Sequence, residues 1–426
     1  MFLSLLLIFL SFFPLLVVKS YGAGIAIYEQ GVSGLGNAYA GAAASAEDGS
    51  TIFYNPAGLT KLTKPEISLG THVIIPTAHF KNTGSIKADK TPLTGNNGGD
   101  AGVIGIVPNL YVSTPINEKF FLGIGINSPF GLQTEYDKNW VGRYHAIKSK
   151  LITINLNPAM AYKLNSKVSL GLGANFQRAE AEITNAIDFT KYGITQDGFA
   201  RLKGDDWSFG WNAGILYEPS ENTRLGVAYR SKITHQLKGK VKFENISFPL
   251  SSIFHKDNVK ARLDLPPMLS FSGFHKLNSK WTVLADITWT SWSRFEELRI
   301  KYDTLTIGDT VITTKWKDCF RYSIGVSYQP TSKWVFRSGI AYDETPIAYD
   351  KHRTPRIPDT DRFWIALGLG YTLSEKLKFD LGYVHIFFKK SYIDKDPVGE
   401  DERRGGLKGY YRGYVDIISA QLRYSF

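Results

Sequence analysis

From about residue 65 onward, apolar and polar positions alternate with a period of two. In "VSLGLGANFQR" (168–178), Val168, Leu170, Leu172, Ala174 and Phe176 share one face, and Ser169, Gly171, Gly173, Asn175 and Gln177 share the other. "FRYSIGVSYQ", "FWIALGLGY" and "WTVLADITW" repeat the pattern with aromatic residues at or near their ends. One apolar face, one small or polar face and aromatic ends describe a strand whose outer side meets lipid. A soluble β-sandwich also alternates, so periodicity alone leaves two architectures open.

Connection lengths separate them. Fourteen candidate strands lie near 65–80, 102–115, 118–127, 151–164, 168–182, 207–218, 223–240, 262–276, 280–300, 311–329, 333–343, 362–373, 376–391 and 410–426. The even-numbered connections are short: "PIN", "LNSK", "EPSENT", "LNSK", "QPTSK" and "LSEK". The odd-numbered ones are long, as at 81–101, 127–150, 183–206, 241–261, 344–361 and 391–409. Short turns at one rim and long loops at the other mark a bacterial transmembrane barrel. The expected fold is therefore all-β, an antiparallel barrel of fourteen strands over 65–426. Closing the ring satisfies backbone groups that an open edge would leave unpaired in lipid. The last strand ends on Phe426, with Ile418, Ala420, Leu422 and Tyr424 on its face, as barrel assembly machinery requires of its clients.

Residues 23–64 break the pattern, being rich in Gly and Ala without sustained alternation. A barrel of this size is too wide for its own side chains to fill. The segment reads either as a disordered leader or as a hatch packed within the lumen. Tyr39, Ile52, Phe53, Tyr54 and Leu59 are too apolar for a solvated tail and favour the hatch. Within it lies "YNPAGL", and a second NPA tripeptide occurs in "NLNPAMAY". Paired NPA boxes suggest a helical water channel, but no stretch beyond the N-terminus approaches the roughly 18 uncharged apolar residues of a membrane helix. Asn55, Pro56 and Ala57 are expected to form a turn held by the asparagine side chain. Pro158, in the outward phase of the fourth strand, is expected to point at lipid or at a strand irregularity.

The first eighteen residues are almost wholly apolar, and the small residues Ser20 and Gly22 predict a signal peptide over 1–22, although its basic N-terminal region is missing. Such export places the barrel in the outer membrane of a Gram-negative cell. A single cysteine, Cys319, excludes an internal disulfide and a cysteine-based zinc site. No cofactor or metal is expected. The net charge of +11 is scattered rather than gathered into a stripe, which argues against nucleic acid. Outer-membrane lipid and lipopolysaccharide are the expected surroundings. An enzyme would need a nucleophile, a base and an orienting group together. The eight histidines sit singly, so no catalytic role is assigned.

Several long stretches resemble the FadL/TodX family of outer-membrane transporters for long-chain fatty acids and hydrocarbons. They include "SGLGNAYAG", "NPAGL", "DDWSFGWNAGILYE", "DLPPMLSFSG", "TSWSRF", "WKDCFRYSIGVSY", "FRSGIAYDETP" and "RIPDTDRFW", in this order. The resemblance implies passive uptake of long-chain fatty acids or similar hydrophobic molecules. Ligand would enter a groove among the extracellular loops, pass to a lumenal pocket and exit sideways at a kink in the third strand. Aromatic hydrocarbon uptake and an outer-membrane lipid hydrolase are the alternatives. The kink falls at Ser128, Pro129, Phe130 and Gly131, where a proline removes a ladder donor. Asn55, Pro56 and Ala57 would belong to the gate. The family's basic residue late in strand five aligns with Asn185, and its second cation falls near Ile312, with Lys315 close by. Asn185, Lys315, Arg337 and Arg362 are the polar ligand candidates; Phe189, Phe248 and Phe254 are the apolar ones.

Overall fold

A computed structural model describes residues 24–426, so the expected signal segment lies outside the described residues. The strands are β1 (Glu66–Pro76), β2 (Gly105–Pro115), β3 (Phe120–Asn127, resuming at Gly131–Glu135), β4 (Lys148–Lys163), β5 (Val168–Ile187) and β6 (Gly198–Ser220). Next come β7 (Thr223–Arg230 and Ile233–Glu244), β8 (Asp257–Leu265 and Met268–Lys276), β9 (Trp281–Thr290 and Glu297–Tyr302) and β10 (Thr310–Thr313 and Cys319–Tyr328). The last four are β11 (Trp334–Asp343), β12 (Arg362–Thr372), β13 (Leu377–Phe388) and β14 (Tyr414–Ser425). Each pairs antiparallel with its neighbours in sequence, and β1 pairs β14 from Glu66–Ser425 to Pro76–Val415, closing a barrel of 14 strands.

The wall follows its alternation. On β10, Phe320, Tyr322 and Ile324 are exposed outward, while Arg321, Ser323 and Gly325 are buried inward. The short turns carry a recurrent local solution. Asn117, Asn165 and Asn278 each accept two backbone N–H bonds, from the residues two and three positions later. This side-chain mimic of a turn is why "IN" and "LNS" recur at that rim.

Several strands run past their expected limits. β5 continues to Ile187 and β6 starts at Gly198, so the expected loop 183–206 shrinks to 188–197. In "RLKGDD" the outward positions are charged rather than apolar, because this part of β6 rises above the lipid; the alternation is real but its chemistry changes. β7, β8, β9 and β10 are each interrupted once, at prolines 266–267 in β8 and at non-proline irregularities elsewhere. At the long-loop rim, His79–Asn82, Ser391–Asp394 and Lys408–Arg412 form a separate three-stranded sheet. There Tyr136 stacks on Trp140 at 4.1 Å, beside Phe80.

The core lies where residues 24–62 meet the inner wall. Ile25, Ile27, Leu35 and Tyr39 are buried with Phe130, Trp292, Trp316 and Trp364. Wall glycines admit this segment at contact distance. A Cβ on Gly171 would stand 2.1 Å from Ala57 N, and one on Gly339 would stand 2.3 Å from Asn37 C. Polar wall residues then take up its free carbonyls. Arg321 Nη2 donates to Ala38 O at 2.7 Å, and Asn212 Nδ2 donates to Ile52 O at 3.0 Å.

Candidate functional site

The wall is discontinuous at β3. Asn127 pairs Asn155 and Gly131 pairs Ile152, so Ser128, Pro129 and Phe130 face only Thr153 and Ile154. The extra residue makes a bulge, and Pro129 has no N–H to place in a ladder. The Thr153 hydroxyl bridges the gap: it accepts from Phe130 N at 3.0 Å and donates to Phe130 O at 2.6 Å. On the other side, β2 pairs β3 up to Leu110–Ile126, and the next described bridge is Gly102–Thr134.

The N-terminal segment pairs with this break through a single antiparallel bridge. Ile27 N donates to Pro129 O at 2.8 Å, and Gly131 N donates to Ile25 O at 2.9 Å, around an Ala26–Phe130 bridge. Gln30 ties both chains: its Nε2 donates to Ile27 O and Ser128 O, and its Oε1 accepts from Ser128 N. All four expected kink residues are buried in this closed arrangement.

Asn55 is fully buried and uses its amide on three sides. Its Oδ1 accepts from Ala57 N at 3.0 Å, while Nδ2 donates to Ala43 O and to Ile215 O of β6. Pro56 opens the 3₁₀ turn Pro56–Lys61 that Asn55 caps. The second tripeptide solves another problem. Pro158 cannot donate across to β5, and the neighbouring Asn157 Nδ2 donates to Ala174 O at 2.8 Å instead.

A cavity of 660 Å³ lies at the long-loop rim between β5, β6, β7, β9 and the loops above them. Asn185, Phe189 and Phe254 line it, with Leu202, Phe243 and Ile300. Phe254 packs edge-on against Phe189 at 5.3 Å and against Phe243 at 5.5 Å. The other candidates lie elsewhere. Phe248 is 87% exposed, and Lys315 is exposed beside Glu296, its N donating to Glu296 O. Arg337 bridges Glu47 and Asp380, and Arg362 pairs with Asp359 at 2.9 Å. Those two guanidiniums are already neutralised by carboxylates inside the barrel.

The cavity has cations that the pattern of residues did not single out. Arg356, from the loop before β12, is buried and places Nη2 3.4 Å from Asn185 Oδ1. Its Nη1 donates to Ser149 Oγ at 3.1 Å, its carbonyl accepts from Thr134 Oγ1 of β3, and its Nε has no hydrogen-bond partner. Among the described residues no carboxylate pairs with it. Burial first, and then the neighbouring Arg404, push its pKa down to about 9, so it stays cationic at neutral pH. Arg404 also lines the cavity, donating to Val311 O at 2.9 Å next to Ile312 while pairing with Asp401 at 3.1 Å. Both positions where the aligned cations are missing, Asn185 and Ile312, thus have a loop arginine beside them. Only "RIPDTDRFW", noted as a resemblance, held a trace of this.

A Ser–His–Asn row crosses β14, β1 and β2: His72 Nδ1 is 2.7 Å from Ser419 Oγ, and Nε2 is 3.0 Å from Asn109 Nδ2. All three are at most 1% exposed, and none lines the cavity.

Residues 15–426 match the family model described as outer membrane protein transport protein (OMPP1/FadL/TodX). The long-chain fatty acid transport protein of Escherichia coli O6:H1 is 34% identical over 414 residues, covering 87% of this chain and 89% of its own. Outer membrane protein P1 of Haemophilus influenzae is 32% identical over 448 residues, covering 95% of each. The crystal structure of a Pseudomonas aeruginosa FadL homologue superposes with a TM-score of 0.87 at 28% identity, covering 95% of this chain and 100% of that one. The Pseudomonas putida toluene transporter TodX shares the fold, with a TM-score of 0.66 at 17% identity over 96% of this chain and 99% of its own. With its closed barrel, its broken third strand and a match over nearly its whole length, the chain belongs to the OMPP1/FadL/TodX family of outer-membrane transport proteins.

Proposed function

We propose that this barrel takes up long-chain fatty acids passively across the outer membrane. The acyl chain lies against Phe189, Phe243 and Phe254, and the carboxylate meets Arg356, with Arg404 assisting. The carrying observation is a cavity with an aromatic and aliphatic wall on one side, at Phe189, Leu202, Phe243, Phe254 and Ile300, and a buried guanidinium that no carboxylate neutralises on the other. Only neutral acceptors hold it here, at Lys148 O, Ser149 Oγ, Thr184 O and Asn185 Oδ1. A buried cation of this kind is costly until an anion answers it. Residues 24–62 act as the hatch, with Asn55, Pro56 and Ala57 anchoring it. Release of residues 25–27 from Pro129 and Gly131 would open the wall to the membrane.

A neutral aromatic hydrocarbon has no use for Arg356, which favours the fatty acid over the hydrocarbon reading. A hydrolase needs a reachable nucleophile, and the Ser419 row is buried away from the cavity; relatives named as transport proteins support the same conclusion. The test is titration of purified protein with oleate and toluene. Oleate binding is expected to weaken roughly 10–100-fold in Arg356→Met, corresponding to about 1.5–3 kcal/mol for a charge-assisted hydrogen bond. Arg356→Lys should retain most of the affinity, and wild-type affinity should fall as pH rises through about 9. Equal oleate affinity in wild type and Arg356→Met would refute this assignment.

A further inference from the structure

The outer face of the barrel carries a second feature, independent of the cavity. Along the upper part of β7, Lys238, Lys240 and Lys242 occupy three successive outward positions and are exposed. Their alternates face inward: Val241 is buried in the same apolar cluster as Leu202, Val259 and Ile300. Across the ladder the lysines meet more cations. Lys240 stands opposite Lys203 of β6, and Lys242 stands opposite Arg201. Lys238 stands opposite Lys260 of β8, which in turn stands opposite Lys301 of β9.

Like charges placed directly opposite across strands are destabilising, so four such pairs in one patch work against the fold. Carboxylates relieve it only in part: Glu180 holds Lys203 at 3.0 Å, Glu182 holds Arg201 at 2.8 Å, and Asp303 holds Lys260 at 3.0 Å. Lys238 stands opposite Asp205 of β6, which Arg178 already holds at 3.3 Å, and Lys240, Lys242 and Lys301 have no carboxylate partner among the described residues. The patch begins just above the aromatic end of the lipid-facing surface. Trp207 and Phe209 of β6 are 63% and 58% exposed on the same face. Each two-residue step along a tilted strand climbs roughly 5 Å. Lys203 therefore stands about 10 Å above Trp207, at the depth of headgroups in the outer leaflet.

We propose that this face of β6–β9 binds the phosphate groups of lipid A, the phosphorylated glycolipid of the outer leaflet. Its acyl chains would rest on Trp207 and Phe209, and its phosphates would separate the opposed lysines. The charge sign, the height and the aromatic floor each match that molecule.

Native mass spectrometry of the full barrel, without divalent cations, tests the assignment with two probes: bisphosphorylated lipid A and the same lipid dephosphorylated. Wild type is expected to bind the phosphorylated form at least about tenfold more tightly, as several lysines near anionic headgroups imply. K238Q/K240Q/K242Q should lose that preference, while K276Q/K376Q/K378Q at the short-turn rim should keep it. Heat-modifiable migration confirms that each barrel has assembled. Equal binding of the two lipids by wild type, or an unchanged preference in the β7 variant, overturns the proposal. Oleate affinity is expected to be the same in all three proteins, so either result leaves the fatty-acid assignment to its own test.

Discussion

Gly214 shows how one atom can decide the seat of the N-terminal segment against the wall. A Cβ there would stand 2.0 Å from Asn55 Oδ1, the oxygen that accepts from Ala57 N. Gly214→Ala therefore displaces a fully buried amide and strands its partners. Overpacking together with an unsatisfied buried group is expected to cost about 2–4 kcal/mol. The loss should appear as rapid proteolysis within residues 24–62 while the barrel stays heat-modifiable; an unchanged digestion pattern would show that the contact is dispensable. Residue roles of this kind were partly legible. Asn before Pro-Ala implied a side-chain-held turn, because the asparagine geometry is local. Arg356 was not legible, since its place beside Asn185 depends on how a loop of eighteen residues, 344–361, folds back over β4 and β5.

At the scale of elements, β3 and residues 25–27 behave as one unit. The break was readable because Pro129 cannot join a ladder, but its partner was not, since pairing over a hundred residues leaves no periodic trace. The same limit explains the strand ends. Alternation between apolar and small residues identified the lipid-spanning parts of β5 and β6, whereas their upper parts alternate charged with aliphatic residues and read as loop. The Ala26–Phe130 bridge offers a direct test of the lateral route. A26C/F130C in a Cys319→Ser background should form a crosslink across the break. Uptake of labelled oleate is expected to stop on oxidation and return on reduction. Undiminished uptake in the oxidised protein would rule out exit between β2 and β3.

For the whole molecule, the wall and the segment inside it form one core: Ile25, Leu35 and Tyr39 are buried with wall residues from β3 through β14. Deleting residues 24–62 is expected to give steady ion conductance in planar bilayers, well above that of the full chain. Equal conductance in an assembled deletion variant would mean that the loops, rather than residues 24–62, close the channel. The closed ring of 14 strands was the most legible property of all, because the outward positions that meet lipid are apolar and the long connections gather at one rim.

The lengths of β5 and β6, 20 and 23 residues, carry a consequence for where capture begins. The outward apolar run on β6 ends at Trp207, yet the strand continues to Gly198, roughly 20 Å higher. The cavity hangs from that extension. The protein is thus a chimney standing in the hydrated sugar layer that repels oily molecules from Gram-negative cells. Its mouth stands above the headgroups, so the strands themselves span part of that layer before any affinity acts.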